Sequence, residues 1–253
     1  MRKGSAAAVL LAFSLMIGCR SKPAASPSST QSQIIAVDLV NGGSISGVVL
    51  FDGEPPKPQP IDMSQDPGCL SGPASARVGE AYAIRDGKFG NVLIYVKGVK
   101  AGQIGPLQTV DIDQKGCRYI PHVVAVEEGA PVRFLNSDPA EHNIHAPQFN
   151  VSQMPGAPPV TKIFTDPAIM LPIECNQHPW MEMELNVMPS PFFAVSKPDG
   201  SFVIHGLPPG EYTLAAVHER LGEKTVRVNV SAKTVSNVTF TYSQGDVAAR
   251  EAR

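Results

Sequence analysis

From residue 41 onward, apolar positions come in short β-branched runs broken by Gly and Pro, with no sustained stripe at helical period. Residues 225–230 and 238–242 alternate strictly, Thr-Val-Arg-Val-Asn-Val and Val-Thr-Phe-Thr-Tyr, which predicts strands with one face buried. Residues 44–51 end at the Asp52-Gly53 turn, and residues 91–96 form a second run. Residues 123–126 and 131–135, separated by Glu127-Glu128-Gly129, read as two strands joined by a tight turn. Further runs cover 162–165, 168–173 and 185–188. Extending the last back to residue 182, Met183, Leu185 and Val187 fall on one face, and Glu182, Glu184 and Asn186 on the other. The C-terminal part alternates strands and turns through Asp199-Gly200 and Gly206-Leu-Pro-Pro-Gly210. The pattern predicts an all-β protein built of sandwiches, with a polar tail at 244–253.

Composition fits that class: 24 Pro and 22 Gly in 253 residues, enough length for one or two cores, and 6% aromatics. A formal net charge of -2 gives no reason to expect nucleic acid as a partner. Met1-Arg2-Lys3 leads into an apolar run, residues 6–17, and then Gly18-Cys19. A basic start and a short apolar stretch before small residues read as a secretory signal, too short to span a membrane comfortably. Ending on Ile17-Gly18-Cys19, it resembles a bacterial lipoprotein signal, residues 1–19, with Cys19 as the lipidated residue; ordinary cleavage nearby is the alternative. Residues 20–40 read as a flexible linker. The expected address is the periplasmic side of the cell envelope, lipid-anchored or soluble according to the signal type.

The chemistry concentrates in Cys175-Asn-Gln-His178-Pro179-Trp180-Met181. A thiolate, an imidazole and a thioether within seven residues are soft donors, and His142, in His142-Asn143-Ile144-His145, offers another. One Cys, two His and a weak Met describe a trigonal blue-copper site for electron transfer. Met183 is the alternative axial ligand. His145 is expected to point away, and His122 and His218 to be structural hydrogen bonders. Only one Cys stands in the loop, against a bridged binuclear copper centre. Six histidines without His-x-His sets argue against a trinuclear one, and no Gly-x-Ser-x-Gly appears. No enzyme activity is expected.

Residues 121–187 resemble the cupredoxins, most closely the amicyanins. The resemblance rests on Val126-Glu-Glu-Gly129-Ala-Pro-Val132-Arg-Phe134, on His142-Asn143-Ile144-His145 and on the compact Cys175-x-x-His178-Pro179-x-Met181 spacing. It implies one type 1 copper ion held by His142, Cys175 and His178 with Met181 axial. Asn143 would hydrogen-bond the Cys175 sulfur, Pro179 would stiffen the loop, and Trp180 would cover an imidazole or meet a partner. Gly47-Val48-Val49, Asp199-Gly200-Ser-Phe202 and Gly206-Leu-Pro-Pro-Gly210-Glu-Tyr212 resemble the carboxypeptidase regulatory-like β-sandwich. Its signature arrives about a hundred residues late. The expectation is therefore a cupredoxin domain, 104–189, inserted in or packed beside a sandwich made of 41–103 and 190–243; three segments in series is the alternative. With Cys19 lipidated and Cys175 on copper, Cys69 and Cys117 remain as a candidate disulfide or as two buried thiols.

The function expected is that of a membrane-tethered one-electron carrier, with an imidazole edge as its port and a cytochrome, oxidase or dehydrogenase as its redox partner. The amicyanin likeness suggests the methylamine-utilisation type by resemblance alone. A copper-holding or trafficking protein, or a glycan- or protein-binding surface lipoprotein, are the alternatives.

Overall fold

The computed structural model describes residue 1 and residues 33–70, 77–101 and 106–251; Cys19, the signal and most of the linker lie outside the described residues. The described residues from 33 onward form one compact unit. Within it the chain is all-β and makes two sandwiches.

One sandwich is built from both ends of the chain. Phe193–Val195, Leu93–Val96, Gly210–His218 and Gly222–Val230 form one sheet. Ser201–Leu207, Gly43–Asp52, Lys88–Phe89 and Ile84–Arg85 form the other, with Val235–Ser243 pairing parallel to Gly43–Asp52. Ile45, Phe89, Ile94, Phe202, Leu214 and Tyr242 fill the space between them. Each such fully buried side chain contributes about 1.5–3 kcal/mol of transfer free energy. Gly47 has no room for a side chain, since a Cβ there would lie 2.2 Å from the Val238 carbonyl oxygen and 2.5 Å from the Phe202 ring. One pairing departs from expectation: Gln33–Ile35, within the stretch read as linker, pairs parallel with Val99–Ala101.

The other sandwich uses the strands between. Val160–Ile163, Pro131–Asn136, Val110–Gln114 and Tyr119–Ile120 make its smaller sheet. Phe149–Gln153, His142–Ala146, Ala168–Glu174, Glu182–Met188 and Val123–Glu127 make the larger. Ile112, Phe134, Ile144, Ile173 and Leu185 form its core. Val123–Glu127 and Pro131–Asn136 are not a hairpin. Each pairs in parallel elsewhere, with Glu182–Met188 and Val110–Gln114, so the turn at Gly129 (φ 84°) carries the chain from one sheet to the other.

The strand Glu182–Met188 departs from its alternation. Asn186 is fully buried, donating to the Val124 carbonyl and accepting from the Met170 amide, and Glu184 is half-buried. The face read as solvent-facing is covered by the first sandwich: Met188, Ala125 and Met170 pack on Leu93, Tyr95 and Val217. His122 meets Glu219 at 2.6 Å and Arg220 meets Glu182 at 2.8 Å. The segment expected as a polar tail includes the helix Gln244–Glu251. Its start is capped by Asp246, which accepts from the amide of Ser243 at 2.7 Å. Among the described residues, no helix is long and apolar enough to cross a membrane.

Candidate metal centre

His142 opens the strand His142–Ala146, in which His142, Ile144 and Ala146 point inward and Asn143 and His145 alternate outward. The preceding loop is shaped by Asn136. Its side chain accepts from the Asp138 amide and donates to the carbonyls of Ala140 and Gln153. That turn delivers Asp138 to His142, with Oδ2 at 2.9 Å from Nε2. Asp138 also accepts from the amides of Gly116 and Cys117. A carboxylate only accepts, so His142 Nε2 carries a proton and Nδ1 is left to face the site.

Cys175 follows the strand Ala168–Glu174, and the loop after it is closed by two backbone bonds. The Cys175 amide donates to the Met181 carbonyl at 3.0 Å, and the Met181 amide to the His178 carbonyl at 2.8 Å. This compact turn brings His178 Nδ1 to 3.6 Å from Cys175 Sγ and 3.1 Å from His142 Nδ1. The ligand atoms of His142, Cys175 and His178 lie within 4.8 Å of one another. The residues themselves are 0%, 4% and 2% exposed, so none of the three presents an edge to solvent.

The outer nitrogen of His178 is also claimed. Nε2 is 3.0 Å from Asp66 Oδ2, in the segment just before the short helical turn Pro67–Leu70. An exposed imidazole port was expected here. Instead Asp66 and Cys69 cap the ring, and a Cys69–Cys117 disulfide fastens that cap. Trp180 lies against the same imidazole, ring centroids 5.2 Å apart, and donates its indole N–H to the Cys117 carbonyl. A cleft of about 410 Å³ beside the cap is lined by Gln65, Asp66, Gln177, Pro179 and Trp180 and reaches His178.

Several remaining residues have distinct places. The Asn143 amide donates to Cys175 Sγ at 3.3 Å, while its side chain goes to Asn150 instead. Tyr119, fully buried, shares its one hydroxyl proton between the carbonyls of Asn143 and Glu174, each the neighbour of a site residue. Met181 and Met183 are both buried in the core that borders the site. His145 bonds the side chain of Asn176. His122 bonds Glu219 and the Glu182 carbonyl, and His218 accepts from the amides of Arg220 and Leu221. Pro179 is exposed in the loop.

Burial alone would raise the Cys175 thiol. Hydrogen bonding from His142 and from the amides of Asn143, Gln177 and His178 outweighs it and brings the group down to about 6. Burial likewise works against a charged His142, but Asp138 and Cys175 raise it to about 9. Asp66, bonded to His178, is held below the usual carboxylate range. With both Nε2 atoms facing carboxylates, the two Nδ1 atoms and the Cys175 sulfur converge on one buried point, where the proton that His142 shares with Cys175 is the charge a bound cation would replace. The donor set of one soft sulfur and two imidazole nitrogens fits a His₂Cys transition-metal site.

Asp66, Asp138 and Tyr119 were not singled out from sequence. Asp138 had a local signal, because Asn136-Ser-Asp138-Pro139 is an Asx-turn sequence running into His142. Asp66 and Tyr119 reach the site only through tertiary structure and left none.

A family model described as the β-sandwich domain of ER membrane protein complex subunit 7 matches residues 176–251, less than a third of the chain. No curated protein matches. Solved structures with local similarity include a copper-containing nitrite reductase from Thermus scotoductus, at 20% identity and TM-score 0.30 over 34% of this chain and 25% of that one. An amicyanin mutant in the Cu(I) state is 18% identical, TM-score 0.29, over 32% of this chain and 82% of that one. A purple cupredoxin from Nitrosopumilus maritimus is 19% identical, TM-score 0.29, over 31% and 99%. The chain thus spans a quarter of the nitrite reductase's length. At such scores these likenesses decide nothing about function.

Proposed function

We propose that the protein holds one mononuclear type 1 copper ion and serves as a one-electron carrier rather than an enzyme. The observation that carries this is the convergence of Cys175 Sγ with the Nδ1 atoms of His142 and His178, while each Nε2 is fixed by a carboxylate. Bound copper would supply a single-electron couple in which thiolate donation dominates. The residues' part is to stay still. Asp138 and Asp66 fix the two imidazoles, the Asn143 amide fixes the sulfur, and Tyr119 ties together the backbone on either side. A pocket held this way from several elements resists rearrangement when the ion's charge changes, which lowers the reorganisation that slows electron transfer. Met181 would give the further, weak sulfur contact to the ion in this reading, with Met183 the alternative.

By this reading the chain is exported, anchored through Cys19 at the periplasmic face, and exchanges electrons with a cytochrome, oxidase or dehydrogenase. The closed His178 edge favours one alternative, a copper-holding role without rapid turnover, because a covered imidazole lengthens the electron's path to a partner.

The test is a Cu(II) titration of the full chain, followed by ascorbate. An intense visible thiolate-to-copper band that saturates at one equivalent and bleaches reversibly is expected, and Cys175→Ser should abolish it. Tight colourless binding would instead support the holding role, and a band surviving in Cys175→Ser would refute the ligand assignment.

A further inference from the structure

The two site imidazoles have a second set of neighbours on their outer sides. Cys69 Sγ lies 3.5 Å from His178 Nε2, beside Asp66. Cys117 Sγ groups with His142 and Asp138 in the same way, ligand atoms within 4.8 Å of one another. Cys69, Cys117 and His178 form a third such group. The two sulfurs, joined to each other, therefore lie along the outer edges of both imidazoles, Cys69 beside His178 and Cys117 grouped with both His178 and the His142–Asp138 pair.

A disulfide that only staples a small domain needs apolar packing and nothing more. This one has Met63, Ala140, Ile61 and Trp180 as apolar neighbours, but it also lies against the two site imidazoles and Asp138. Cys117 also holds φ at 53°, left-handed backbone that a residue with a Cβ adopts only at a cost, directly after Gly116 at 65°. The backbone conformation there suits glycine; a sulfur stands there instead. Cys69 sits on the four-residue turn Pro67–Leu70, next to the cleft that reaches His178, and the Asp66 side chain is one-third exposed. A short surface turn can shift enough for two thiols to separate.

We propose that reduction of the Cys69–Cys117 disulfide opens a second metal site, for a soft monovalent ion of the Cu(I) type. Its donors are the two Cys sulfurs, with Asp66 and Asp138 at its margin. This goes beyond the electron-carrier reading, since neither cysteine belongs to the first donor set. The reductant is a dithiol. It gives two electrons and two protons, the Cys69–Cys117 bond breaks to two thiols, and the donor closes to its own disulfide. Binding of Cu(I) by both sulfurs then releases the two thiol protons. Two thiolates are the donor type that selects Cu(I) over harder ions. Placed on the outer edges of both imidazoles and beside the cleft, the pair would form an entry station through which copper reaches Cys175.

The experiment counts Cu(I) per full chain by anaerobic native mass spectrometry, before and after dithiothreitol treatment and desalting, with alkylation confirming two additional thiols. Reduction should add one ion, raising wild type from one to two, and should add one to Cys175→Ser as well. Cys69→Ser/Cys117→Ser should show no increment. No added ion in reduced wild type, or an increment that persists in the double variant, would overturn the proposal. Failure of the electron-carrier reading would appear separately, as no ion on oxidised wild type. The comparison of oxidised with reduced wild type needs no variant to fold.

Discussion

One hydroxyl, that of Tyr119, bonds the carbonyls next to both His142 and Cys175, so it couples two strands at the point where their ligands meet. Removing it strands two carbonyls with reduced hydrogen bonding in the interior. Tyr119→Phe should cost about 1–3 kcal/mol in a urea unfolding curve and should broaden the copper band. An unchanged midpoint would show that the carbonyls find other donors. At this scale the sequence was readable where donors fall in short local motifs, His142-Asn143-Ile144-His145 and the Cys175 loop. Cys175, His178 and Met181 share one loop, and their spacing alone states the chemistry. Asp66 is separated from His178 by 112 positions and offers no such spacing.

The strand Glu182–Met188 shows what element-level patterning misses. Alternation correctly buried Met183, Leu185 and Val187, but polarity alone sent Glu184 and Asn186 to solvent when a second sandwich covers them. Desolvation there, reinforced by the charge of Glu219, raises Glu184 from 4.5 to about 7. One of its oxygens has no hydrogen-bond partner. Between those two values the folded chain binds more protons than the unfolded one, so stability falls as pH rises from about 4.5 to about 7. His122 slopes the same way. Burial would lower it, yet Glu219 raises it overall, and the stability it contributes is lost as pH rises through its folded value. Glu184→Gln should remove part of that slope and be more stable than wild type at pH 8, on the order of 1–2 kcal/mol once solvent screening of a half-buried group is allowed for. Urea midpoints measured from pH 5 to 8 would show it; parallel curves for the two proteins would contradict it.

For the whole molecule, the sandwich made from both chain ends carries the inserted strands, and the 57–70 segment returns across to close the metal centre. The strand runs and their turns were legible because period-two alternation is local. The crossing at Gly129 was not, because a tight turn between two runs reads as a hairpin unless the parallel partners of each are known. The disulfide closes a separation of 48 residues, for which loop entropy predicts roughly 3–4 kcal/mol. Cys69→Ser/Cys117→Ser should lower the unfolding free energy by about that amount and speed copper loss to a chelator, because the cap over His178 is released. A chelator rate equal to wild type would mean that the cap holds without its fastening.

X-ray absorption of the disulfide-intact protein loaded with one equivalent of copper addresses the donor set most directly. The account predicts one short sulfur shell and two imidazole nitrogens, retained in both Cu(II) and ascorbate-reduced Cu(I) forms. A shell with two short sulfurs, or with nitrogen and oxygen alone, would contradict it.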